Sequence, residues 1–168
     1  RFLNAANVQT SAGGSSPVVN MYTAAAATSA TDPDGGYAHI GYRAAAAPTN
    51  YTVHTTGVSA EYYQLVKDST ELDAINSSTA SLAGKYMLEN DIDLGGAEHT
   101  PIGGNGRGAF TGKFDGNFFR VQNFNISNSG NNIDSAGLFG EVSNARIENL
   151  GVSQATIKGK RDNSHCYA

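Results

Sequence analysis

The chain has 168 residues, 39% of them apolar and 15% charged, with 20 glycines, no tryptophan and a formal net charge of −4. That length holds one good core or two small ones, and the composition lacks the high charge and low hydrophobicity of a disordered chain. An acidic balance without a basic patch argues against nucleic acid as a partner, and no apolar run is long enough to span a bilayer.

In chain order, residues 1–57 form an Ala/Thr/Gly-rich segment of their own, with AAAA at 24–27 and at 44–47. Four alanines favour helix but fall short of a stable isolated one. DPDGG at 32–36 signals a turn, and YAHIGYR (37–43) and YTVHTT (51–56) alternate as strands do. The expectation is a small β-rich segment or set of hairpins, preceding a second region at 58–168.

The second region opens with a strand in EYYQLVK. Asp68 or Ser69 then caps a short helix over 69–77, with Glu71 and Asp73 in its first turn and Leu72 and Ile75 on one apolar face. KYMLENDIDL follows as a strand with a corner near Asn90. The Gly-rich stretch 95–113 reads as a long loop whose glycines supply turns. It has no GK[ST] and no following helix, so it is not a phosphate-binding loop. Beyond it come short strands separated by Gly, Asn and Ser.

Two phrases match at an offset of 26 residues: RVQNFNIS at 120–127 and RIENLGVS at 146–153. A repeat of that length, written in short strands and turns, predicts stacked coils. The expected fold is all-β: a right-handed parallel β-helix with a short capping helix near 69–77. Three interior columns are predicted, with Val121 over Ile147, Phe124 over Leu150 and Ile126 over Val152. Asn123 and Asn149 would mark a corner, since Asn tolerates the left-handed conformation.

The order YMLENDIDL (86–94), PIG (101–103), FTGKFDGN (110–117), VQNFNI (121–126), GLFG (137–140) and IENLGV (147–152) resembles the GLUG-motif repeats of large bacterial surface proteins. The resemblance spans about residues 61–168. It implies a β-solenoid in an extracellular, adhesin-like protein. Phe118 stands where the pattern usually has Gly, and His99 stands where it usually has an aromatic. The sequence ends at SHCYA in what reads as the start of a further coil. That pattern implies a fragment, a capped short module or a piece that stacks on another chain.

Asp91, Asp93 and Asp115 are the carboxylates to weigh for catalysis, because a glycosidase needs two flanking the sugar bond. Ordinary Asp turns account for them more simply. Calcium is the one cofactor such oxygens leave open. No HExxH occurs, and His39, His54 and His165 lack metal-ligand spacing. Cys166 is the single cysteine, so no internal disulfide forms. The reading is a non-catalytic extracellular module, a stalk or scaffold that presents loops to a host glycan, a host protein or sister subunits. Glu98, His99, Asn105 and Arg107 form the expected binding loop, with His99 at the surface. Alternatives are a polysaccharide-processing enzyme, marked by converging carboxylates, and a self-assembling filament subunit joined through an open end.

Overall fold

The computed structural model describes residues 19–23, 37–43, 51–55, 59–127 and 136–158. The two alanine tracts, the DPDGG turn and the SHCYA end with His165 and Cys166 lie outside the described residues. The chain divides into two compact units, Arg1–Gln64 and Leu65–Ala168, where the composition shift predicts a boundary at 57/58.

The first unit holds β1 (Val19–Thr23), β2 (Tyr37–Tyr42), β3 (Tyr51–Thr55) and most of β4 (Ser59–Val66). β1 pairs in parallel with β3, from Val19↔Tyr51 to Thr23↔Thr55. β2 pairs in parallel with β4, from Tyr37↔Ser59 to Tyr42↔Gln64. These pairings replace the expected hairpins. Parallel partners require a long crossover between them, and each pair here has one.

In the second unit, Asp68 is extended at φ −147° and its carboxylate accepts from the Glu71 amide at 3.0 Å. That cap starts α1 (Ser69–Ala74), which runs into a 3-10 turn at Ile75–Ser77. Such a cap contributes about 0.5–2 kcal/mol. Leu72 and Ile75, three apart, are both fully buried. Ser78 accepts from the Ser81 amide to start α2 (Thr79–Leu82).

Six strands follow: β5 (Lys85–Leu88), β6 (Ile92–Glu98), β7 (Lys113–Asp115), β8 (Arg120–Ser127), β9 (Arg146–Glu148) and β10 (Gly151–Lys158). The break between β5 and β6 falls at Glu89–Asp91, where Asn90 donates to the Lys67 carbonyl at 3.0 Å. β5, β7 and β9 pair in parallel in that order. β6, β8 and β10 form a second parallel sheet. Between the sheets lies one core: Val66, Leu72, Ile75, Leu82, Tyr86, Leu88, Ile92, Ile102, Phe110, Phe114, Val121, Phe124, Ile126 and Leu138. Phe114 and Phe110 both stack on Phe139, the first edge-to-face at 5.4 Å and the second tilted at 5.3 Å.

This architecture corrects the expected right-handed parallel β-helix. The described residues form small parallel sheets with few helical turns, and no closed solenoid is found among them. Where a third wall would stand there are two isolated bridges, Ile102↔Phe139 and Phe110↔Val142. The step between paired strands also varies, from Lys85↔Lys113 to Lys113↔Arg146 and from Ile92↔Val121 to Ala97↔Phe124.

The three predicted columns are corrected with it. Val121 pairs with Val152, Phe124 with Ala155 and Ile126 with Ile157. Ile147 instead pairs with Phe114 on the other sheet. RVQNFNIS is one unbroken strand, β8, whereas RIENLGVS spans β9 and the start of β10. The chain leaves one sheet for the other between them, at Asn149–Leu150.

Asn123 (φ 56°) and Asn149 (φ 51°) are both left-handed, but they do not share a slot. Asn123 sits in β8 opposite Gln154 (φ 52°), which lies between the paired residues Ser153 and Ala155. Asn149 lies against Gly116, and its carbonyl accepts from the Phe118 amide at 2.9 Å.

Candidate functional site

The outward face of β6 and β8 is a row of short polar side chains that bond across the strands. The Asp93 carboxylate accepts from the Gly95 amide at 2.8 Å, from Asn123 Nδ2 at 2.9 Å and from Gln122 Nε2 at 3.3 Å. The Gly95 amide and then the Asn123 amide hold Asp93 below the usual carboxylate range. Glu98 accepts from Ser127 Oγ at 2.8 Å and from the Ser127 amide at 2.9 Å. Those two bonds, hydroxyl first, lower its pKa. Asp91 accepts from the Arg120 amide at 3.0 Å and pairs with Arg120 Nε at 3.3 Å. Asp115 accepts from the Asn117 amide at 2.8 Å and from Asn149 Nδ2 at 3.1 Å. The carboxylate oxygens are thus spent on turns and strand ends, as Asp turn chemistry dictates.

The expected loop is shorter than its sequence suggests. Residues 95–98 continue β6, and Gly95 and Gly96, both at positive φ, produce a bulge against β8. His99, expected at the surface, is buried. Its amide donates to the Asn125 carbonyl, its Nε2 lies 3.1 Å from the Leu138 carbonyl, and its ring meets Phe124 edge-on at 5.4 Å. Nε2 donates to that carbonyl when it carries a proton, as it does in one neutral tautomer and in the imidazolium alike. Burial pushes the His99 pKa down, against smaller upward pulls from the Leu138 carbonyl and Asp73.

A base with a lowered folded-state pKa binds fewer protons folded than unfolded, so stability rises with pH. Stability is therefore expected to be complete above the unfolded value of 6.5 and to fall as pH drops through the lower folded value. Urea unfolding between pH 8 and pH 5 reads this slope, and His99→Gln should flatten it. An unchanged slope in that variant would assign the effect to other groups.

Ile102 and Phe110 are bridged and buried, so the loop proper is 103–109. Asn76 brackets its entry, with Nδ2 donating to the Pro101 carbonyl at 3.1 Å and Oδ1 accepting from the Gly103 amide at 2.9 Å. Gly103 sits at φ 73°, and a Cβ there would meet the Glu141 carbonyl at 2.6 Å. Gly104 donates to the Gly108 carbonyl at 2.8 Å and its own carbonyl accepts from the Arg107 amide at 3.0 Å. Asn105 is left-handed at φ 51°. Its Oδ1 is buried and is the one such side-chain atom without a hydrogen-bond partner among the described residues. Arg107 is exposed. Of the four expected binding residues, Asn105 and Arg107 share this tight loop, Glu98 lies in β6 and His99 lies in the core.

One feature escaped sequence reasoning and a second was marked by it. His39 and Tyr63 are buried together with ring centroids 4.5 Å apart, and Tyr63 Oη donates to Glu61 at 3.0 Å. Their places in adjacent strands were the only available signal. Phe118 is left-handed at φ 64° and 83% exposed, so its ring receives little packing in return for an unfavourable backbone. In the sequence, Phe118 stands out as a departure from the pattern the chain resembles.

The fold and this loop define a strand-rich protein of parallel sheets that displays a braced polar turn. No family model matches the chain, and no solved structure matches it. It is 36% identical over 102 residues to Halomucin from Haloquadratum walsbyi (strain DSM 16790 / HBSQ001), a stretch covering 55% of this chain. The chain spans 1% of the length of that protein. This partial likeness fits a surface or extracellular protein, and it does not bear on the GLUG-type pattern.

Proposed function

We propose that this chain is a non-catalytic, extracellular module of a cell-surface protein, related to the GLUG-type repeats, that presents its 103–108 loop to a glycan. The observation that carries this reading is the loop itself. A turn braced by Asn76 holds a buried, unpartnered amide oxygen at Asn105 two positions from the exposed guanidinium of Arg107. A buried acceptor left unpaired costs about 1–3 kcal/mol. Asn105 Oδ1 is closed to solvent, so a sugar hydroxyl meets it only when the loop opens on binding and then removes that cost, while a sugar carboxylate pairs with the exposed Arg107 in the bidentate manner guanidinium favours. Loops on a rigid scaffold are where such recognition concentrates.

The enzyme alternative draws no support from Asp91, Asp93 and Asp115, whose oxygens already accept two or three structural bonds each. A glycan array that includes uronate-bearing polysaccharides tests the proposal. Binding is expected, and Arg107→Ala and Asn105→Gly should each weaken it about tenfold, the loss of one charged or neutral hydrogen bond. The glycine keeps the left-handed backbone, so the melting temperature should hold. Wild-type protein that binds no glycan, or variants that bind as well as wild type, would overturn it.

A further inference from the structure

Among the described residues, β10 ends the sheet order β6–β8–β10. It is eight residues long and exposed along nearly its whole length. Val152 and Ile157 are 51% and 52% exposed, yet their register partners on β8, Val121 and Ile126, are 0% and 1% exposed. The two side chains therefore point to the side that is core one strand earlier, but half of each lies bare. An edge strand with unpaired N–H and C=O groups invites another strand, and proteins normally guard such edges with charge or proline. Here the only charge is Lys158, at the very end, and there is no proline.

The strand's own sequence indicates which partner fits. When β10 pairs antiparallel with a second β10 about a two-fold axis between Gln154 and Ala155, Val152 falls opposite Ile157 of the other copy, and Ile157 opposite its Val152. Ser153 falls opposite Thr156, and Gly151 opposite Lys158. Directly opposed residues of an antiparallel pair point to the same face and touch, so one symmetric association makes the Val152–Ile157 contact twice and covers both half-bare residues of each copy. The two hydroxyl residues meet on the other face. No like charges oppose each other. The left-handed residue Gln154 falls opposite Ala155 of the other copy at the centre of the pairing, so the contact rests on the flanking pairs Val152–Ile157 and Ser153–Thr156.

We infer that two copies of this chain associate through β10, as an antiparallel, two-fold pairing that closes the open edge of the β6–β8–β10 sheet. An isologous contact of this kind is self-limiting: it consumes the same edge on both copies and stops at two. This goes beyond glycan recognition by the 103–108 loop and does not depend on it.

Sedimentation of the full chain over a concentration series is the test. The mass is expected to converge on twice 17.5 kDa and to go no higher. Val152→Asp and Ile157→Lys, each at an exposed site, should each give monomer at concentrations where the wild type is dimeric, with unchanged circular dichroism. The combination of both substitutions should regain the dimer, because the two-fold register places the new acid opposite the new base. A parallel, head-to-tail addition of strands does not bring those positions together. Wild-type protein that stays monomeric, a mass that keeps growing with concentration, single variants that remain dimeric, or a combined variant that stays monomeric would each overturn the proposal.

Discussion

Gly112→Ala is expected to lower the stability of the Leu65–Ala168 unit by about 3 kcal/mol or more, at the upper end of what overpacking costs. A Cβ at Gly112 would run into the Gly84 carbonyl oxygen, with the Ala83 and Gly84 carbonyl carbons each at 3.0 Å. These are backbone atoms, so no side chain can swing aside. Nor can the strand retreat, because hydrogen bonds tie it to the end of α2. Thr111 and Gly112 amides donate to the Leu82 carbonyl at 2.9 and 3.1 Å, and the Lys113 amide donates to Gly84 at 3.0 Å. Moving away breaks those bonds, and staying produces the clash. Gly106→Ala is the control. Its Cβ would meet nothing within 4 Å, and only its φ of 79° opposes it, a cost of about 1–2 kcal/mol. Denaturation followed by tyrosine fluorescence separates the two. Equal midpoints would show that the β7 entry yields more readily than its hydrogen bonds imply.

What the sequence revealed of this fold is what local chemistry decides. Asp68 caps its own helix three residues on, and Leu72 and Ile75 mark its buried face, so the turn over 69–77 was legible. The bend near Asn90 was legible because a strand's alternation fails there. Register was not legible, since it is decided between strands. The phrase repeated at 26 residues is a likeness of wording, and it suggested three columns that do not form. Asn149 shares a letter with Asn123 but turns the chain from β9 towards β10, while Asn123 bends a single strand. The true step, Val121 to Val152, is longer because the stretch between the strands includes that crossing from one sheet to the other. His99 was misplaced for a similar reason. Polar and followed by a Gly-rich stretch, it reads as a loop residue, whereas its burial against Phe124 is decided by packing between segments distant in sequence. Within the loop, Asn105 and Arg107 stand in the turn where the surrounding glycines were expected to place them. The bracing by Asn76 was hidden by the distance in sequence between them.

Phe114→Ala is expected to cost about 3–5 kcal/mol, the range for a buried phenylalanine. Phe114 is 1% exposed, lies between Tyr86 and Ile147 in strand register, and meets Phe139 edge-to-face at an interplanar angle of 82°. Removing the ring takes away its own burial and strips one wall from Phe139 at once. Ile147 occupies the next position on the same face but is 38% exposed, so Ile147→Ala should cost only about 1–2 kcal/mol, since part of its area is already in water. Urea midpoints for the two variants, measured at one pH above the His99 transition, give the ratio. The expected gradient follows from the core lying deepest between β5 and β7 and thinning at β9, the last strand of its series. Similar losses for the two variants would mean that β9 is covered in solution, and that the thinning at this edge is not a property of the folded protein.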